Sequence, residues 1–153
     1  MKNSIAVVFL AAAMASSAQH SGVEQRGDHA MGFSHEKTTH HFLLAKDGGA
    51  IEVEANDGKD KTSRDQIRGH LTHIAKMFAA GNFETPVLIH DQVPPGVPVM
   101  QQLKAEIDYK FEQTAKGARI RIFSSNAEAI AAVHEFLKFQ IKDHHTGDPI
   151  EIR

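Results

Sequence analysis

Ser63-Arg-Asp-Gln-Ile-Arg-Gly-His-Leu-Thr-His-Ile-Ala-Lys-Met-Phe78 reads as one helix carrying two stripes. Ile67, Leu71, Ile74 and Phe78 fall within roughly 60° of one another at about 100° per residue, an ordinary core face. His70, His73 and Met77 form a second stripe centred roughly 90° away. Their i, i+3 and i+7 spacing lets two imidazoles and a thioether reach one point beside the helix. Ser63 with Gln66 spells a capping box, and Gly81 stops the helix after Ala80.

Upstream, Thr38-Thr-His-His-Phe-Leu-Leu-Ala45 alternates as a strand, Lys46-Asp-Gly-Gly49 is a hairpin turn, and Ala50–Ala55 is a second strand with Ile51, Val53 and Ala55 on one face. Downstream, residues 82–105 make a connector. It holds the short apolar run Val87–His90, the turn-rich Val93-Pro-Pro-Gly-Val-Pro98, and a short helix from Pro98 through Lys104. Residues 106–143 then repeat 38–81. Ile107–Gln113 and Ala118–Phe123 are strands about a turn at Ala115–Gly117, and Ser125 with Glu128 caps a helix to Lys142 with a stripe of Ile130, His134, Leu137 and Ile141. The fold expected is α+β: two ββα repeats forming a four-stranded antiparallel sheet with both helices on one face, plus the connector helix. Ile51, Val53, Ile120 and Ile122 should lie under the helices with Leu71 and Leu137.

The chain opens with a basic start and the apolar run Ile5–Met14, followed by the small residues Ala15-Ser-Ser-Ala18. Ten apolar residues are too few to span a bilayer, so 1–18 reads as a signal peptide and the protein as exported, periplasmic or secreted. Cleavage after Ala18 leaves Gln19-His20 at the mature end, and cleavage one residue later leaves His20. Residues 19–37, polar with glycines at 22, 27 and 32, read as a flexible, extended arm, and residues 144–153 as a fraying tail around the single domain 38–143.

Cleavage removes one lysine, leaving sixteen Lys and Arg against nineteen Asp and Glu with no basic block, which argues against nucleic-acid binding. With no cysteine, any bound metal must use His, Met or carboxylate. All eleven histidines lie beyond residue 18. Neither a nucleophile elbow, nor His-Glu-x-x-His, nor a phosphate loop is present, so no reaction is named.

The repeat supplies an internal comparison. The positions matching His70, His73 and Met77 are Val133, Phe136 and Gln140. Two are apolar, so this flank is expected to be covered and its imidazoles in need of partners. Hydrogen bonding within the protein would satisfy them; so would a metal. Mixed imidazole and thioether donors suit copper, above all Cu(I), over structural zinc or calcium. His29 and Met31 offer a second pair on one side of an extended arm, and His40 shares a strand face with Phe42 and Leu44. The candidate ligands are thus His70, His73, Met77, His40, His29 and Met31. His41, His35, His20, His144 and His145 read as surface or chain-end residues, His134 as a satisfied core histidine, and His90 is undecided. Two rivals use the same residues: a small haem protein or enzyme, for which an axial histidine needs an apolar cavity, and a metal-free module that recruits a partner or second copy through its open sheet face.

Arg26-Gly-Asp-His-Ala-Met-Gly-Phe33, Thr38-Thr-His-His-Phe42, Arg64–Ile74, Val93-Pro-Pro-Gly-Val-Pro98 and His134–Ile141 resemble the motifs of a family of small bacterial exported proteins. The resemblance spans nearly the whole mature chain. It implies a bacterial, exported setting and lends no catalytic residues.

Overall fold

A computed structural model describes residues 22–152. Residues 1–18, expected to be a signal peptide, and both expected mature ends lie outside the described residues.

The alternation at 38–45 yields strand β1 (Thr38–Ala45), which turns through Lys46-Asp47 into β2 (Gly48–Ala55). The turn is two residues long, because Gly48 and Gly49 already pair with Ala45 and Leu44. A side chain at Gly49 would sit 2.3 Å from Leu137 Cδ1, so glycine is what lets the helix layer approach the sheet there. The second hairpin, β3 (Asp108–Gln113) and β4 (Gly117–Phe123), adds through β4, giving the order β1-β2-β4-β3 with every pair antiparallel. Ile51, Val53, Ile120 and Ile122 form the buried floor with Leu71 and Leu137, as the repeat requires. The other face carries charge instead: Arg119 pairs with Glu112 at 2.7 Å and approaches Glu52, and Lys110 meets Glu112 at 3.3 Å.

The helices are α1 (residues 22–31), α2 (Lys61–Ala79), α3 (Glu84–His90), α4 (Val97–Gln102) and α5 (Ala127–Asp143). Helix α2 lies mainly across β3 and β4, whereas α5 lies across β1 and β2. Each helix therefore covers the other repeat's hairpin, and neither half has its own core. Helix α4 packs on α5. Gly96, at φ +82°, makes that approach possible, since a Cβ there would stand 2.1 Å from the Ala132 carbonyl oxygen.

Three local expectations change. Neither serine is the cap: Asp60, three residues before Ser63, accepts the Ser63 N–H at 3.0 Å and its hydroxyl, and Asn126, one residue after Ser125, accepts the Glu128 and Ala129 N–H groups. Carboxylate and amide oxygens outcompete the serine boxes because they lie where the first free N–H groups point. The segment expected to be an extended arm is helical over 22–31. Val23, Gly27 and Met31 recur every four residues, Val23 is buried, and Arg26 Nε donates to the Ile89 carbonyl at 2.7 Å.

The tail is tied down rather than frayed. Asp148 accepts the Phe42 N–H at 3.0 Å, lies 2.9 Å from His41 Nδ1, and takes the Thr146 hydroxyl at 2.6 Å. Strand β1 is a sheet edge, and this carboxylate fills one of its outward amides. Asp148→Ala should cost about 1–3 kcal/mol and accelerate hydrogen exchange at the Phe42 amide. Unchanged exchange there would show that the tail does not hold the edge.

Candidate functional site

Packing the exchanged helices over the first hairpin leaves a cavity of about 70 Å³ between β1, β2, α2, α3, α5 and the end of α1. Most of its lining is apolar, including Phe42, Leu71, Ile74, Phe78 and Phe136, and into this surface project Met31, His40, His70, His90, Gln140 and His144. Even-numbered β1 residues face the helices, which places His40 beside Phe42 and Leu44. His70 enters from the flank of α2. Met31 enters from the last turn of α1, and packs on the core with Phe33.

The rings form a connected set. Phe33 lies 6.3 Å from His40, nearly parallel, and 5.6 Å from His70, edge on. His144, which ends α5, lies 6.0 Å from His40 and 5.0 Å from His90. Burial pushes the His40 ring down to about 4, with the neighbouring His70 acting in the same direction. Burial likewise pushes His70 down to about 4, aided by His73. Both rings are neutral at pH 7, with lone pairs available.

His40, His70 and Met31, three of the six predicted ligands, therefore line one cavity. The other three do not. His73 is exposed, Met77 packs part-buried against the core, and His29 is exposed. On α2, His73 lies roughly 130° from the centre of the core stripe, the farthest of its three. The matching flank of α5 is buried because α4 covers it. Among the described residues no equivalent helix covers His73, which is exposed, so the repeat is an imperfect guide to burial. His29 and Met31 part because the segment is helical: two residues apart means about 200° on a helix and the same side on a strand.

Sequence reasoning missed His90, Gln140 and His144. His90 is buried, with Nδ1 against the Asp143 carboxylate and Nε2 at 2.9 Å from Gln140 Oε1. Gln140 and His144 are i and i+4 on the face of α5 that carries Phe136, a spacing that was legible. It was passed over because residues 144 onward read as tail. Other assignments stand: His134 Nε2 lies 2.8 Å from the Ala45 carbonyl, and His35 pairs with Asp28 near the surface. His41 differs, since Asp148 engages it.

Among the described residues, no group of three or more His, Cys, Asp or Glu side chains is placed to hold a metal ion, and no helix is long and apolar enough to cross a membrane. What the cavity offers is four imidazoles, those of His40 and His70 held neutral, and one thioether in apolar surroundings. Comparison with protein-family models, curated proteins and solved structures finds no match to this chain.

Proposed function

We propose that this protein is an exported bacterial copper-binding protein that holds one Cu(I) with His40, His70 and Met31, in copper handling or sensing. The observation that carries this is the gathering of those three donors, from β1, α2 and α1, around one small apolar cavity. Cu(I) is the ion that fits this donor set. It accepts imidazole and thioether together, and two or three donors suffice, whereas structural zinc takes four and calcium needs oxygens. A single positive charge also costs less to bring into an apolar cavity than a double one. Because His40 and His70 are already neutral, binding at pH 7 expels no proton from them.

A haem fits less well: about 70 Å³ is far below the roughly 300–1,000 Å³ of pockets for larger organic ligands. Export rests on the basic start, the apolar run Ile5–Met14 and the small residues Ala15–Ala18. Met31, Phe33, His40, Phe42 and His70 also gather around this one cavity.

Anaerobic titration of the mature protein against a chromophoric Cu(I) chelator tests this. One equivalent should bind. His40→Ala and His70→Ala should each weaken it strongly, and the double variant should lose the tight site. Met31→Leu should weaken it while changing stability by less than about 1.5 kcal/mol, and His29→Ala and His73→Ala should leave it unaltered. A His40/His70 double variant that binds as tightly as the parent would sink the proposal.

A further inference from the structure

The two edges of the sheet are finished differently. In the second hairpin the Thr114 N–H donates to the Gly117 carbonyl at 3.1 Å, across the turn Ala115-Lys116. Counting back from that bond, Glu112 and Lys110 bond to β4, while Tyr109, Phe111 and Gln113 turn their backbone N–H and C=O groups outward. The same alternation on β1 turns the even-numbered residues outward, and there Asp148 takes the Phe42 N–H. Strand β1 carries no Asp, Glu, Lys or Arg and is plugged by the tail. Strand β3 has no plug: among the described residues nothing bonds to the outward backbone groups of Tyr109, Phe111 or Gln113. Such a row of donors and acceptors is a template for another strand.

Charged side chains on an edge discourage pairing in most registers, and the outer face of β3 carries Asp108, Lys110 and Glu112. Against a second β3 laid antiparallel, they favour one register. Centring the pair on Phe111 sets Phe111 against its own copy and Tyr109 against Gln113, so all three outward-turned residues bond. Lys110 then lies opposite Glu112 of the second copy, twice, at positions where side chains stand close. Sliding to either neighbouring compatible register sets Lys110 against Lys110 or Glu112 against Glu112, and leaves an outward residue of each strand unpaired. Within its own chain Lys110 faces the cation Arg121 across the ladder, and its carboxylate partner Glu112 is already held by Arg119 at 2.7 Å. The cross-strand row Glu52, Arg119, Glu112 alternates in sign, and Lys110 of a second copy continues it. On the helix face, Phe111 packs part-buried against the core, and its copy would cover the remainder.

We propose that the β3 edge docks a second copy of this chain, antiparallel and centred on Phe111, joining two four-stranded sheets into one. The contact is isologous, as two-fold symmetry requires. It lies apart from the histidine cavity, which no β3 residue lines, so it stands or falls independently of copper. A strand of six residues makes a contact at the small end of the interface range, and association therefore depends on concentration.

Sedimentation velocity of the mature protein over a wide concentration range should pass from one chain mass to two. Hydrogen exchange reads the register: the Tyr109, Phe111 and Gln113 amides should exchange fast in dilute protein and slow by about tenfold or more in concentrated protein, whereas Lys110 and Glu112 stay protected in both. Gln113→Pro removes an outward donor without removing a ladder bond to β4, and should weaken association by about tenfold, the two-fold axis doubling the loss. Lys110→Glu and Glu112→Lys should each abolish self-association by setting like charges face to face. Mixing those two variants returns opposite charges at both contacts and should give a mixed dimer. The proline variant serves where Glu112→Lys, which also meets Arg119, folds poorly. A chain that stays single at every concentration overturns the proposal. A dimer whose three outward amides exchange as in dilute protein, or which survives all three substitutions, overturns it too, since the contact then lies elsewhere.

Discussion

Phe136→Ala should lower the unfolding free energy by about 3–5 kcal/mol, at the upper end for a buried aromatic. Phe136 is 1% exposed and meets Phe78 of α2 at 6.0 Å and Phe83, the residue before α3, at 6.1 Å, both edge to face. Phe78 and Phe83 stack at 4.4 Å, and Phe78 also meets Tyr109 of β3 edge on. One ring of α5 therefore joins α2, the connector and, through Phe78, the second hairpin. Aromatic pairs in such geometry add about 0.5–1.5 kcal/mol beyond area burial. The hole left by alanine cannot close easily, because its walls belong to separate elements and one side already borders the histidine cavity. Urea denaturation of parent and variant measures this. Leu88→Ala, at a residue 56% exposed, is the control and should stay within about 0.5 kcal/mol. A Phe136→Ala loss under about 1 kcal/mol would mean that the halves do not share a core here.

The fold was legible where local periodicity and burial agree. Alternation found both hairpins, the 3.6-residue stripe found α2 and α5, and their repetition supplied the sheet. The elements overlooked are those whose burial depends on distant partners. Helix α1 has weak intrinsic propensity, with glycines at 22 and 27, and is held by an arginine reaching the Ile89 carbonyl. Helix α3 is seven residues and owes its position to Pro86, Ile89 and His90 being buried beneath it.

The same distinction governs the site. His40 was legible because strand alternation assigns its face without knowledge of the rest. His73 was misplaced because the repeat comparison assumed equal cover on both helices, and α4 covers only α5. The face of α5 that carries His144 is legible from its spacing to Gln140, but its approach to His40 and His90 is not, because that follows from α5 crossing to the other repeat's hairpin. No pattern within either repeat encodes that exchange.

Metal-free protein should lose stability steeply as the pH falls from about 6.5 to about 4. His40 and His70 have an ordinary value of 6.5 and are pushed down to about 4 in the folded chain, chiefly by burial. Between those limits the unfolded chain binds a proton on each ring and the folded chain binds neither. Stability therefore rises with pH across this window, is fully present above about 6.5, and is lost as the pH falls through the folded value. One ring shifted by one unit corresponds to about 1.4 kcal/mol. Both rings are part exposed and they repel one another when charged, so a combined loss of about 2–4 kcal/mol between pH 7 and pH 4 is expected rather than the full sum. Other charges modulate this: His41 and His35 lower His40 further, Asp28 raises it, and His73 lowers His70. His35 itself acts in the opposite sense, since its hydrogen bond to Asp28 holds its value above 6.5 and favours the folded state at low pH. That pair is near the surface and weak. His40→Leu and His70→Leu should each flatten the pH dependence by about half, and the double variant should retain only the gentler acid loss common to carboxylate-bearing domains. Urea unfolding at four pH values between 7.5 and 4.5 reads the slope, and proton NMR reads the rings directly: His40 and His70 should hold constant shifts down to about pH 5. Equal slopes in the parent and the double variant would show that these two imidazoles are not buried in neutral form, and the donor set proposed for copper would lose its electrostatic basis.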